Sequence, residues 1–237
     1  MIQDIKKQII QEYPYKTELH SHSLPVSSCA EFRAEALVKE YKKTGVCAMV
    51  LTNHFTPKHI ERKTKEPFVD EYIESFREFS RCAAAEGIVA IFGMELRFAE
   101  NINDYLLYGI DEADAYRIAD YVDMGLARFR EEFQKEGYLL LQAHPKRNGM
   151  TDMPLELLDG YEVFNMHPGH NSRPAISARE IKGEGKVVSG GSDFHNQGFE
   201  GCCLLRTRYV PKNSREVADI LRSGDYVLEV GESIILP

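Results

Sequence analysis

The sequence predicts an α/β fold in which a largely parallel sheet closes into a barrel. Short apolar strands alternate with amphipathic helices along the whole chain, the pattern of a sheet covered on both faces. Seven or eight such units favour closure over an open sheet. The 237 residues contain no linker, repeat or low-complexity run, so a single domain over 1–237 is expected, an ordinary size for an α/β barrel.

The elements follow in order. The opening MIQDIKKQIIQEY mixes charge and aliphatics as an amphipathic helix does, not as a leader peptide does. Strands are expected near 15–19, 46–51, 88–93, 105–109, 138–142, 160–164, 187–189 and 226–229. Between them, Ala34 to Lys43 gathers Ala36, Leu37, Val38 and Tyr41 near one face and stops at Gly45. Val69 to Ala85 gathers Tyr72, Ile73, Phe76 and Phe79 and stops at Gly87. Ala113 to Glu136 reads as the longest helix and Ser214 to Arg222 as the last. Phe76, Phe79, Phe129 and Phe133 are read as packing residues.

Composition narrows the function. A net charge of -8 argues against a nucleic-acid backbone as partner. It leaves a phosphorylated substrate open, because bound cations bring their own positive charge. No apolar run approaches the roughly 18 residues of a membrane span. The five cysteines are odd in number and include the adjacent pair Cys202 and Cys203. That is no disulfide framework, and a reducing cytoplasm is expected. Cys29, just after the HxH pair, is read as a small packed loop residue ahead of its other reading as a soft metal ligand, and the other four as core or near-core. Nothing in the sequence sets an oligomeric state.

Chemistry collects where strands end. The first runs into Glu18-Leu19-His20-Ser21-His22, the second into Thr52-Asn53-His54 and the third into Gly93-Met94-Glu95. Later ones lead to Ala143-His144-Pro145, Phe164-Asn165-Met166-His167 and Gly191-Ser192-Asp193-Phe194-His195. Parallel barrel strands end on one rim, so these segments would converge. Of the eight histidines, His59 alone lies away from these turns. In His20-x-His22 and Asp193-x-His195 the alternate residues of an extended segment point the same way and can share one ion. A carboxylate such as Glu95 can bridge two cations. The mixed imidazole and carboxylate set suits Zn, Mn or Fe, whereas Mg or Ca would prefer oxygen alone. Any one of these pieces has a bland reading as a satisfied polar group at a strand end; the set together points to a metal centre. Asn165, His167 and His170 read equally as substrate contacts or loop caps. Arg147 and Arg173 read as oxyanion binders or surface ion pairs.

The ordered set HxH, TxH, GxE, HP and GSDxH resembles the PHP superfamily, named for its polymerase and histidinol phosphatase members, from Glu18 to about Val230. The resemblance implies a distorted (β/α)7 barrel related to the TIM barrel, carrying two or three divalent metal ions (Zn, Mn or Fe). It implies hydrolysis of a phosphoester, here of a small phosphorylated metabolite or nucleotide, through a metal-activated water. His20, His22, Glu95 and Asp193 would hold the first metal, Glu95 would bridge to a second held by His144, and His54 and His195 would face a third. His54 or His195 would donate a proton, and Arg147 or His170 would orient the substrate. The chain departs from the pattern at three places. Ser27 and Ser28 stand where an acidic residue or histidine is frequent, no histidine falls within 104–109, and Asn53 replaces a frequent aspartate. In the second of these Asp104 or Tyr105 would substitute, or the second metal would rely on water. The rival readings are an amidohydrolase-like C–N hydrolase and a non-catalytic metal-binding domain. The former usually bridges its metals with a modified lysine at a strand end, and no expected strand here ends in one.

Overall fold

The computed structural model describes residues 2–237. The chain runs α1 (Ile2–Glu12), β1 (Tyr15–Ser21), α2 (Ala34–Lys42), β2 (Ala48–Leu51), β3 (His54–Phe55), α3 (Pro57–Lys63) and α4 (Lys65–Ala85). It continues through β4 (Val89–Phe92), β5 (Met94–Arg97), β6 (Asp104–Tyr108), α5 (Asp114–Ala119), α6 (Leu126–Glu132) and β7 (Leu139–Gln142). After a short 3-10 turn come β8 (Gly160–Asn165), α7 (Pro174–Ile181), β9 (Val187–Gly191), β10 (Cys203–Thr207), α8 (Ser214–Ser223), β11 (Val227–Val230) and β12 (Ser233–Ile235).

This is a mixed α/β fold. Its strands form two six-stranded sheets, ordered β12-β11-β10-β1-β2-β4 and β3-β5-β6-β7-β8-β9. Pairing is parallel for β1 with β2, β2 with β4, β3 with β5, β7 with β8 and β8 with β9. It is antiparallel for β6 against both neighbours and for β10 against β1 and β11. The expectation of a largely parallel sheet is corrected accordingly: the 97–104 connection is too short for a helical crossover, so β6 must return antiparallel. Backbone contacts join the sheets at their ends. Ser21 bridges to Phe194, and Glu95 N–H donates to Asn53 O at 3.2 Å as β2 and β4 pass into β3 and β5.

One apolar cluster holds Leu19, Val50 and Ile91 of the first sheet with Leu106 and Leu141 of the second, capped by Val217 and Leu221 of α8. Helix α8 is well specified: the Asn213 side chain accepts from Glu216 N–H, and Gly224 closes the helix at φ 68°. A second cluster packs α4, α5 and α6 through Phe68, Tyr72, Ile118 and Phe129 onto Phe55, Leu96 and Tyr105.

The long helix expected over 113–136 is broken in two. Gly125 sits at φ 85°, and a Cβ there would lie 2.5 Å from Glu100 Oε2. The Glu100 carboxylate accepts Leu126 N–H at 2.9 Å, so α6 starts afresh. Among the described residues no helix is long and apolar enough to cross a membrane.

Candidate metal centre

Strand β1 aims Glu18 and His20, and beyond its end His22, to one side, since alternate residues share a face. All three are fully buried. Glu18 accepts His20 N–H at 2.9 Å, Ser192 N–H at 3.1 Å and the Tyr41 hydroxyl at 2.8 Å. It thereby ties the His20 segment to the Asp193 segment. Burial pushes its carboxyl above the usual range, against these hydrogen bonds.

Each ring is oriented from behind. His20 Nδ1 donates to Glu162 Oε1 at 2.8 Å, so Nε2 is the nitrogen that faces the cluster and would take an ion in place of a proton. Glu162 Oε2 also accepts from His144 N–H at 3.1 Å and Asn165 Nδ2 at 2.9 Å. Ser27 serves His22 in the same way. Its hydroxyl donates to Asn53 Oδ1 at 2.9 Å and so faces His22 Nδ1, 3.1 Å away, as an acceptor. It also accepts His54 N–H at 3.0 Å. Ser27 and Asn53, which depart from the family pattern in sequence, thus set the His22 tautomer with Nε2 free.

Histidine ring nitrogens converge on two carboxylates. Glu95 lies 2.6 Å from His54 Nδ1, 3.1 Å from His144 Nε2, and 3.4 Å from His20 Nε2 and from His22 Nε2. Asp193 Oδ1 lies 3.4 Å from His20 Nε2, 3.3 Å from His22 Nε2 and 3.4 Å from His195 Nδ1. Asp193 Oδ2 accepts Asn165 Nδ2 at 2.9 Å and lies 3.2 Å from His170 Nδ1. Burial would raise both carboxyls, but His54 and His20 hold Glu95, and His20 and His170 hold Asp193, well below their ordinary values. Burial also works against protonation of His20, yet Asp193, Glu162 and Glu95 outweigh it and lift the imidazole well above 6.5. His22 goes the other way: burial, His195 and His54 keep it neutral.

These residues fit divalent cations. His20 Nε2, His22 Nε2, His54 Nδ1, His144 Nδ1, Glu95 Oε2 and Asp193 Oδ1 are all buried without a hydrogen-bond partner. Leaving one polar group so buried costs about 1–3 kcal/mol, so an aggregate of them is the signature of an ion site. Four ligand groups have donor atoms within 4.8 Å of one another: His22, His54 and His195; His20, His22 and Glu95; His144, His170 and Asp193; His54, Glu95 and Asp104. His144 and Asp193 take positive φ values of 33° and 50°, costly for non-glycine residues and typical of side chains held for a function.

A pocket of about 280 Å³ opens above the cluster, walled by Cys29, Arg97, Arg147, His167, His170 and Asn196 among others. A roomier groove of about 530 Å³ beside α4 and α5 offers no such convergence. Arg147 donates to His170 Nε2 at 3.1 Å. His167 stacks on His170 with centroids 4.0 Å apart, and burial lowers it to about 4. Asn165 is buried behind Asp193 and Glu162 and does not wall the pocket. Arg173 is not in the wall either; its guanidinium binds Lys146 O and Asn148 Oδ1, both at 2.5 Å. Cys29, expected to be packed, is exposed at the pocket. Burial of its sulfur is outweighed by hydrogen bonds with His195 and His54, which lower the thiol to about 6. His59 stays apart, bonded to Thr56 Oγ1 at 2.9 Å and stacked on Phe68.

Sequence reasoning passed over Glu162, Arg97 and the supporting role of Glu18. A signal existed for two of them: Glu18 shares the period of His20 and His22, and Glu162 is a charge between Tyr161 and Val163 in an apolar strand.

Comparison with known proteins agrees with this geometry. A two-domain protein from Bacteroides vulgatus, described as containing a predicted PHP-like metal-dependent phosphoesterase, superposes with a TM-score of 0.63 at 18% identity over 93% of this chain. The chain spans 66% of that protein's length. PsfC from Pseudomonas syringae superposes with a TM-score of 0.57 at 18% identity, covering 83% of each chain. At these identities the likeness is one of fold. No curated protein matches by sequence. A family profile described as the PHP domain matches residues 18–172, more than half of the chain and all of the ligand segments up to His144. The chain therefore belongs to the PHP domain family.

Proposed function

We propose that the protein is a metal-dependent phosphoesterase that hydrolyses a small phosphorylated metabolite or nucleotide. The observation that carries the reading is the convergence of unpaired, buried imidazole and carboxylate atoms beneath a pocket walled by two arginines. At about 280 Å³ the pocket is at the small end for ligand sites and suits a small molecule. The donor set favours Zn, Mn or Fe. Such ions, when bound, would supply Lewis acidity and lower the pKa of the hydrolytic water.

The chain's own residues divide the remaining work. His20, His22, Glu95 and Asp193 would hold the first ion, with Glu95 and His144 toward a second and His54 and His195 toward a third. Arg147 presents a planar guanidinium to phosphoryl oxygens and keeps His170 oriented. His54 and His195, where they are not ligating, would pass a proton to the leaving oxygen. Ser27, Asn53, Glu162 and Asn165 keep the rings and carboxylates aimed.

We read the two sheets as one distorted seven-stranded barrel within a single domain. The passage of β2 into β3 and of β4 into β5, and the Ser21 to Phe194 bridge, support this. The free cysteines suit a reducing cytoplasm.

The test loads metal-free protein with Zn, Mn or Fe and measures phosphate release from sugar phosphates, nucleotides, amino-alcohol phosphates and phosphotyrosine. Metal-dependent release from at least one class is expected. No release with any metal, together with cleavage of an amide, would overturn the reading.

A further inference from the structure

Strand β5 carries two chemically opposed residues on one face, Glu95 and Arg97, two positions apart. The antiparallel ladder sets Arg97 directly opposite Asp104 at the start of β6. Their side chains meet as a complete fork: Arg97 Nε donates to Asp104 Oδ1 and Nη2 to Oδ2, both at 2.7 Å. Arg147 Nη2 adds a second guanidinium 3.5 Å from Oδ2. Asp104 is 1% exposed, so water does not compete for it. Yet the same carboxylate belongs to a ligand group with His54 and Glu95, and its Oδ2 lies 3.8 Å from His144 Nε2.

We infer that Arg97 closes this corner of the cluster to metal: its guanidinium supplies at Asp104 the positive charge that a divalent ion would otherwise bring. Both oxygens are engaged along the directions that a bidentate cation would use. An ion placed against the buried Asp104 carboxylate would also sit beside a positive charge fixed there by two hydrogen bonds, and the two would repel. The wild-type chain thus binds one divalent ion fewer than its ligand groups could hold. Glu95 keeps its remaining partners, His20, His22 and His144, for the ions that do bind. The inference rests on the metal-dependent reading above, but concerns only which corner is filled.

The test counts ions. Full-length metal-free protein is loaded with Zn²⁺ or Mn²⁺ alone in phosphate-free buffer, dialysed, and analysed for metal per chain by mass spectrometry. Arg97→Gln removes the charge and keeps a polar side chain, and should retain about one ion more than wild type. Arg97→Lys restores a positive charge and should return the count to the wild-type value. Asp104→Asn in the Arg97 background should leave the wild-type count unchanged, because Asp104 holds no ion there, and Arg97→Gln with Asp104→Asn should lose the extra ion. Loss of an ion in Asp104→Asn, or no gain in Arg97→Gln, overturns the inference. If Arg97→Gln fails to fold, as judged by its thermal melt, the Asp104→Asn count decides alone. Failure of wild type to bind any ion would sink the metal-dependent reading itself, an outcome distinct from either of these.

Discussion

Replacing Glu162 with glutamine separates ligand orientation from fold stability. The carboxylate accepts three donors, His20 Nδ1 on one oxygen and both His144 N–H and Asn165 Nδ2 on the other. An amide has one oxygen. Placing it where two donors meet leaves the NH₂ facing His20 Nδ1. His20 relieves that conflict by moving its proton to Nε2, so that Nδ1 accepts. Nε2 then still reaches Glu95 and Asp193, each 3.4 Å away, but as a donor that cannot ligate. The fold should survive while the ligand is lost. Metal affinity is expected to fall about 10–100-fold, roughly 1.4–2.7 kcal/mol, in the range found for partners that orient a ligand. Stability of the metal-free protein should change by no more than about 1.5 kcal/mol, one neutral hydrogen bond's worth. Competition with a chromophoric chelator measures the first quantity and urea unfolding the second. Affinity within threefold of wild type would refute the tautomer argument.

Other expectations follow from the same geometry. Glu95→Gln removes the carboxylate shared by four imidazoles, and should lower retained metal, measured by mass spectrometry, and any phosphatase turnover by about two orders of magnitude or more. Gly191→Ala places a Cβ 2.5 Å from His20 Cβ and 2.9 Å from Glu162 Oε1, and should cost about 1–3 kcal/mol in urea unfolding together with weaker metal retention. Burial holds His59 near 4 in the folded chain against an ordinary 6.5, so the unfolded chain binds its proton more readily between those values. Stability should therefore fall as pH drops through that window. The full difference corresponds to ~3 kcal/mol, and half-exposure reduces it to ~1. His59→Gln should lose that part of the slope in unfolding measured at pH 7 and 4.5, and an unchanged slope would reject the assignment.

The ligand set was legible because it obeys simple periods. His20 and His22, and Asp193 and His195, alternate along extended backbone, and each follows an apolar strand whose character needs no tertiary information. Asp104 escaped that rule because β6 runs against both neighbours, so its first residue, not its last, reaches the ligand rim. The cross-strand encounter of Arg97 with Asp104 depends on that register and has no local signature. Ser27 looked like a missing ligand, since a hydroxyl's part in aiming an imidazole depends on where Asn53 lies, 26 residues away. The break over 120–125 has a local trace in Gly125, but Glu100, whose carboxylate starts the second helix at Leu126, comes from a distant turn.

The ligand segments enter from widely separated stretches of chain, His20 and His22 from the first sheet and His54, Glu95, His144 and Asp193 from strands of the second or the turns that follow them. A cation held among them is in effect a removable cross-link, closing loops that no disulfide closes. Each tenfold rise in free ion above the dissociation constant should add about 1.4 kcal/mol to the folded state, and opening either sheet must first release the ion. A chelator would then do more than silence chemistry. It would remove one of the ties between the two sheets, beside the shared apolar core and the Ser21 to Phe194 bridge, and protease nicking in the loops around 23–33 and 145–153 is where the loosened chain should first show it.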